Sequence, residues 1–137
     1  MQQFLLIISL FLLINASPRY YYWDTVRVVD GDTIEVIIPN IPSELKTYVR
    51  VAGVDTPEKG KKALCSKENK LASEATKLTK KMIDEAKVIK YSDIKWDKYG
   101  GRILANVTID NKDLSVILIE NKLARNYHGE KKQSWCN

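Results

Sequence analysis

The amino-acid sequence predicts an α+β domain, an antiparallel meander of short strands curled into a small barrel, with two helices packed on it. Three observations lead there. Short β-branched runs bounded by turn residues fill the first half of the chain. One stretch in the middle switches to helical periodicity. Strands then return without the regular strand–helix alternation of a parallel α/β sheet. A length of 137 residues supports one compact domain. With 45% apolar and 28% charged residues it is neither a disordered tail nor a collagen.

The first segment, 1–16, carries no charged side chain. Its apolar run from Phe4 to Ile14 is shorter than the ~20 residues a membrane-spanning helix needs. It fits the apolar region of a secretory signal followed by a small residue, Ala16. We therefore expect a signal peptide over 1–16, a mature domain over 17–137, and export to the periplasm or the medium. The start lacks the usual Lys or Arg, so an uncleaved membrane anchor is the alternative. Export also bears on the two cysteines, because an oxidising compartment allows Cys65 and Cys136 to pair. Two free thiols are the other reading.

In the mature chain, Thr25–Val29 and Thr33–Ile38 read as strands joined by the turn residues Asp30-Gly31-Asp32. Pro39-Asn40-Ile41-Pro42 ends the second run, and Lys46–Val51 starts a third. From Ser66 to Ala86, Leu71, Ala75, Leu78, Met82, Ile83 and Ala86 recur at helical spacing, with lysines on the other faces. Strands return at Val88–Tyr91 and Ile103–Thr108. Asp110–Asp113 reads as a turn, and Leu114–Ala124 as a second amphipathic helix with Leu114, Ile117, Leu118 and Leu123 inward.

Composition narrows the chemistry. Two cysteines and one histidine cannot close a four-ligand zinc site without carboxylates. A Ser-His-Asp triad would have to use His128, which reads as a surface residue just past the second helix. Any catalysis must rest mainly on carboxylates and arginines. The net charge is +5, and between Lys59 and Lys90 ten lysines stand against four acidic residues. A lysine-rich helix is most often a solvated face, yet this concentration also suits a polyanion, since lysine attracts phosphate backbones without reading sequence.

Three short stretches hold the candidate functional residues: Val29-Asp30-Gly31-Asp32-Thr33, Arg50-Val51-Ala52-Gly53-Val54-Asp55-Thr56-Pro57-Glu58, and Asp97-Lys98-Tyr99-Gly100-Gly101-Arg102. Each alone is an ordinary turn or strand exit. Their order and spacing together resemble the staphylococcal nuclease (thermonuclease) family from about Val26 to Ala124. The ending Tyr127…Gly129…Lys131-Lys132…Trp135-Cys136 is similar to that of short bacterial members.

The resemblance implies an OB-fold: a five-stranded antiparallel β-barrel with two packed α-helices. It also implies a Ca²⁺-dependent phosphodiesterase acting on DNA and RNA and leaving 3′-phosphate ends. By position, Asp32 and Asp55 would be carboxylate ligands of Ca²⁺ and Thr56 would add its backbone carbonyl, hard oxygen donors of the kind that ion takes. Glu58 would be the general base, or would orient the attacking water. Arg50 and Arg102 would clamp the scissile phosphate, because a planar guanidinium binds two phosphoryl oxygens at once. Lys98 would meet a flanking phosphate, and Tyr99 and Tyr127 would stack on or border the nucleotide; the alternative for both rings is a cap on the barrel. The chain has Gly100-Gly101 where the family's best-known member has one glycine before the arginine. Little base specificity is expected, and nothing suggests more than a monomer. A non-catalytic OB-fold module binding nucleic acid or protein is the rival reading, since one barrel hosts many functions.

Overall fold

The computed structural model describes residues 16–39 and 45–137. The expected signal segment and most of the Pro39–Pro42 strand exit lie outside them. Strand β1 (Asp24–Asp30) and strand β2 (Thr33–Ile38) form a hairpin in which Asp30 faces Thr33, so Gly31-Asp32 is its two-residue turn. Strand β3 (Leu45–Val51) runs antiparallel along β2, placing Arg50 opposite Thr33. A sharp turn leads into the short β4 (Val54–Asp55), and a 3-10 turn over Gly60–Lys62 precedes helix α1 (Ser66–Asp84).

Helix α1 lays its Ala72–Ala75–Thr79 stripe on the sheet, with Leu71, Leu78, Met82 and Ile83 at the margins. Contact with the β1–β2 turn is close: the Thr79 hydroxyl donates to the Gly31 carbonyl at 2.6 Å. A side chain at Gly31 would bring its Cβ within 2.6 Å of the Ala75 Cβ, which is why glycine stands there. The helix stops at Asp84 rather than at the expected Ala86. The Asp110 carboxylate accepts the Lys87 and Val88 amides at 2.9 and 2.8 Å and draws the chain off into strand.

Strand β5 (Ile89–Trp96) is longer than the Val88–Tyr91 run, crossing an irregularity between Ser92 and Lys95 where Asp93 has φ 50°. It pairs with β6 (Arg102–Ile109), which turns through Asp110-Asn111 into β7 (Lys112–Asp113). Helix α2 (Leu114–Glu120) buries Leu114 and Leu118 and ends well before Ala124. There Lys122 takes φ 59°, its amide bonds the Ile119 carbonyl, and the Leu123 amide bonds the Leu118 carbonyl at 2.9 Å. This is a left-handed helix stop with its usual apolar contact, and it turns Leu123 and Ala124 into the core. The chain then forms β8 (Arg125–Asn126), antiparallel to β4.

The strands lie in the order β1-β2-β3-β6-β5, with β7 on β6. Two features correct the expected closed antiparallel barrel. First, β3 and β6 are parallel, Arg50 standing level with Leu104, because α1 and β5 intervene before β6 enters beside β3 in the same direction. Second, the sheet curls without closing. Its edges meet through a single bridge, Tyr21 with Tyr91, bonded at 2.8 and 2.9 Å. Beside that seam the Trp23 ring stacks on Tyr91 at 5.0 Å, so aromatic packing occupies the place of further ladder bonds. The core is Ile34, Val36, Val49, Val51, Tyr91, Ala105, Val107 and Ile109 under Ala75, Leu114 and Leu118. Among the described residues no helix is long and apolar enough to cross a membrane.

Candidate active site

The three sequence stretches converge at one end of the sheet. The β1–β2 turn brings Asp32, β3 brings Arg50, the segment after β4 brings Thr56 and Glu58, and the start of β6 brings Arg102. All five line one cavity of about 60 Å³, together with Asp30, Thr33, Lys62 and Lys132. Asp55 does not line it but contacts Arg50 and Lys132, which do.

Arg50 is buried and lies between two buried carboxylates, its Nε 3.7 Å from Asp32 Oδ2 and its Nη2 3.8 Å from Asp55 Oδ1. These are charge contacts rather than hydrogen bonds, so the guanidinium keeps donors free. Asp32 is fixed at the β1–β2 turn: its carbonyl accepts the Val51 amide at 2.8 Å, and its Oδ1 accepts the Thr33 hydroxyl at 3.0 Å. Burial pushes the Asp32 carboxyl above the ordinary carboxylate range, and Arg50 with the Thr33 and Thr56 hydroxyls offsets only part of this.

Arg102 is tied by its Nε to the Asp97 carboxylate. The Asp97 amide donates to the Arg102 carbonyl at 3.1 Å, closing the β5–β6 hairpin. Gly100 and Gly101, at φ 72° and 71°, let the loop fold back so that Arg102 reaches the cavity despite the extra glycine. Burial would raise the Asp97 carboxyl, but the Arg102 hydrogen bond and charge bring it below the usual range.

Glu58 is half-exposed at the cavity mouth, and its main chain is anchored from beneath. Its amide donates to Glu68 Oε1 at 3.1 Å, while Glu68 Oε2 accepts the Leu64 amide at 2.7 Å. Glu68 is itself buried, in the first turn of α1. Cys65 caps that turn and is disulfide-bonded to Cys136, with Cα atoms 5.9 Å apart.

Beside the cavity runs a groove of about 650 Å³, sharing Arg50 with it and lined by Trp96, Lys98, Leu104, Tyr127 and His128. Tyr127 packs its ring against Arg50, 5.6 Å from the guanidinium carbon, and its amide donates to the Gly53 carbonyl. Lys98 lies 5.0 Å over the Tyr99 ring, but Tyr99 itself points away, largely exposed and outside the groove lining.

Four residues of this arrangement were not singled out from the sequence. Glu68 had a signal, an acidic residue three positions after a helix cap. Asp97 lay within a flagged stretch, but its partner was not evident. Trp96, 75% exposed on the groove, had only its bulk at a strand end to mark it. Lys132 had none.

The donor set for a metal is all oxygen: the Asp32 and Asp55 carboxylates and the Thr56 carbonyl. Asp55 Oδ1 is buried and receives no directed hydrogen bond, though the Lys132 ammonium stands 2.7 Å away. A buried carboxylate oxygen met by a side-chain ammonium, with a second buried carboxylate only partly compensated, fits a hard divalent cation. Among the described residues no three His, Cys, Asp or Glu side chains converge on one point, so water or substrate oxygens would complete the shell.

Asp32, Glu58 and two arginines meet at one small cavity, on a curled sheet backed by a basic helix. Residues 48–135 match the staphylococcal nuclease homologue family model, and the chain belongs to that family. It is 37% identical over 101 residues to endonuclease YncB of Bacillus subtilis (strain 168), a match covering 72% of this chain. The match takes in 44% of YncB, so the chain spans less than half the length of that relative.

Proposed function

We propose that the chain is an exported, Ca²⁺-dependent nuclease that hydrolyses phosphodiester bonds of DNA and RNA with little base specificity. The single observation carrying this reading is the cavity in which Asp32, Thr56, Glu58, Arg50 and Arg102 meet. The name of the matched relative, an endonuclease, supports the same class of substrate.

In this reading Arg50 and Arg102 bind the non-bridging oxygens of the scissile phosphate and match the charge that grows as water adds to phosphorus. Asp97 fixes the plane of Arg102, and Tyr127 backs Arg50. Glu58 takes the proton of the attacking water, its half-exposed carboxylate open to solvent and its main chain held by Glu68. The bond to the 5′-oxygen breaks and solvent protonates that oxygen, leaving a 3′-phosphate and a 5′-hydroxyl. Ca²⁺, held by Asp32, Asp55 and the Thr56 carbonyl, would supply positive charge to the phosphoryl group. Lys98 meets a flanking phosphate and the neighbouring groove takes the adjoining nucleotide. Weak sequence preference is expected, since the lysines and arginines of the site meet phosphates rather than base edges. The Cys65–Cys136 bond supports an oxidising destination.

The test is digestion of single- and double-stranded DNA and of RNA by the purified chain, with Ca²⁺, with EGTA, and with Glu58→Gln. Cleavage that needs Ca²⁺ and falls by at least a hundredfold in the variant supports the reading. Folded protein that retains nucleic acid yet cuts nothing would leave an OB-fold binding module instead.

A further inference from the structure

The C-terminal tail reaches the carboxylates of the site. Lys132 places its ammonium 2.7 Å from Asp55 Oδ1 and 3.6 Å from Glu58 Oε1, and it lines the cavity beside Arg50 and Arg102. It meets the same Asp55 oxygen that receives no directed hydrogen bond. The other oxygen, Oδ2, faces the Trp135 indole N–H at 3.5 Å. The tail therefore engages Asp55 at both oxygens, one by a neutral donor and one by a charge.

The tail is anchored independently of Lys132. Arg125 stacks its guanidinium 3.8 Å over the Trp135 ring and donates to the carbonyls of Gln133 and Ser134 at 3.1 and 2.8 Å. Cys136 is bonded to Cys65, and Lys67 donates to the Asn137 carbonyl at 2.7 Å. The main chain from Gln133 to Asn137 is thus fixed at several points. The Lys132 stem is left to move, its side chain 44% exposed. Such a cation is delivered to one place and can still swing away from it.

We propose that Lys132 is a tethered cation that sets the affinity of the site for its divalent metal. The inference rests on the metal-dependent reading above. Without metal, the ammonium neutralises Asp55 and holds Glu58 near it, so the carboxylates do not repel one another. Metal entry requires the ammonium to leave Asp55 Oδ1, and the interaction lost is subtracted from the binding free energy. Detached, the lysine remains on the cavity wall with the two arginines, where a phosphate oxygen is its next partner.

The experiment is calorimetric titration of Ca²⁺ into the oxidised full chain, without nucleic acid, for wild type, Lys132→Met, Lys132→Arg and Lys131→Met. Lys131 is the neighbouring exposed lysine and forms no ion pair among the described residues. Half-exposed ion pairs are modest, so Lys132→Met should bind Ca²⁺ roughly 3- to 10-fold more tightly. Lys132→Arg should stay near wild type and Lys131→Met within about twofold, since a distant exposed charge is screened. The difference should persist at raised salt. Equal or weaker binding by folded Lys132→Met would overturn the proposal while leaving the metal site intact. Equal tightening in Lys131→Met would also overturn it, because a general field rather than the Asp55 contact would then be responsible. No uptake of Ca²⁺ by any of the four proteins would remove the metal reading itself, and the proposal with it.

Discussion

Glu68 joins the helix to the candidate base, and removing it should disable both. It is 4% exposed, and its two carboxylate oxygens accept the amides of Glu58 and Leu64 at 3.1 and 2.7 Å. Hydrogen bonds to a charged acceptor contribute about 1.5–3 kcal/mol each. Glu68→Ala removes two of them and strands two amides, a gross loss of about 3–6 kcal/mol, toward the lower end because water reaches the half-exposed Glu58 segment. Glu68→Gln keeps one acceptor but turns an amide NH₂ toward a backbone donor, and should cost about 2–3 kcal/mol.

Urea unfolding followed by tryptophan fluorescence measures the stability change. Turnover at a temperature where Glu68→Gln is still folded measures the other half. The Glu58 segment hangs from this carboxylate, and a displacement of about 1 Å at a reacting group can cost on the order of a hundredfold in rate. A Glu68→Gln protein that loses less than about 0.5 kcal/mol and turns over at the wild-type rate would refute the reasoning. It would mean that Pro57 and the 3-10 turn position Glu58 without help from α1.

Three further outcomes follow from the geometry. Gly31→Ala should cost about 1–3 kcal/mol in thermal denaturation, since the new Cβ meets the Ala75 Cβ at 2.6 Å; wild-type stability would show that the turn shifts freely. The Cys65–Cys136 crosslink spans a sequence separation of 71, for which loop entropy gives about 4 kcal/mol. Cys65→Ala/Cys136→Ala should therefore lower the urea midpoint sharply, and reductant should lower wild type but not the variant. Asp97 is held below its ordinary value by Arg102, so its contribution is full above the unfolded value of 3.8 and is lost as pH falls through the folded one. Asp97→Asn should thus destabilise at neutral pH, with the gap to wild type closing below about pH 4; a gap that stays constant down to pH 2 would exclude the ion pair as its source.

What could be read from the sequence was local. The Gly31-Asp32 turn, the Asp110-Asn111 turn, the apolar stripe of α1 and the inward Leu114 and Leu118 are each dictated by residues a few positions apart. The three motif stretches were legible because turn chemistry and functional side chains coincide in them. What failed was non-local. Nothing in the alternation of Lys46–Val51 and Ile103–Thr108 says that these strands run parallel, since the period of two is the same in either sense. Strand β5 extends beyond the Val88–Tyr91 run because the backbone passes through the irregularity at Ser92-Asp93, where the apolar pattern breaks. Helix α2 is shorter than the Leu114–Ala124 run predicts because its stop uses Lys122 where glycine is usual. The Lys132 contact is illegible for a related reason: its partner Asp55 lies far back in the chain, and only the fold of the tail brings them together.

Charge accounting explains why such a tail is useful. Asp32 and Asp55 are both buried, and Arg50 between them stands 3.7–3.8 Å from each, too far to bond either one well. One guanidinium cannot neutralise two carboxylates, and burial pushes the Asp32 carboxyl up beyond what Arg50 and the neighbouring hydroxyls offset. A carboxylate raised in this way opposes folding at neutral pH, the opposite sign from Asp97. A core designed for stability alone would bury neither. The deficit makes sense where a cation is meant to arrive, and until then something must stand near Asp55 without filling the cavity permanently. A lysine on a free stem meets that need only if its backbone is fixed. Trp135, Arg125 and the Cys65–Cys136 bond fix it, and through Cys65 the same bond reaches the helix turn that carries Glu68 and so holds Glu58.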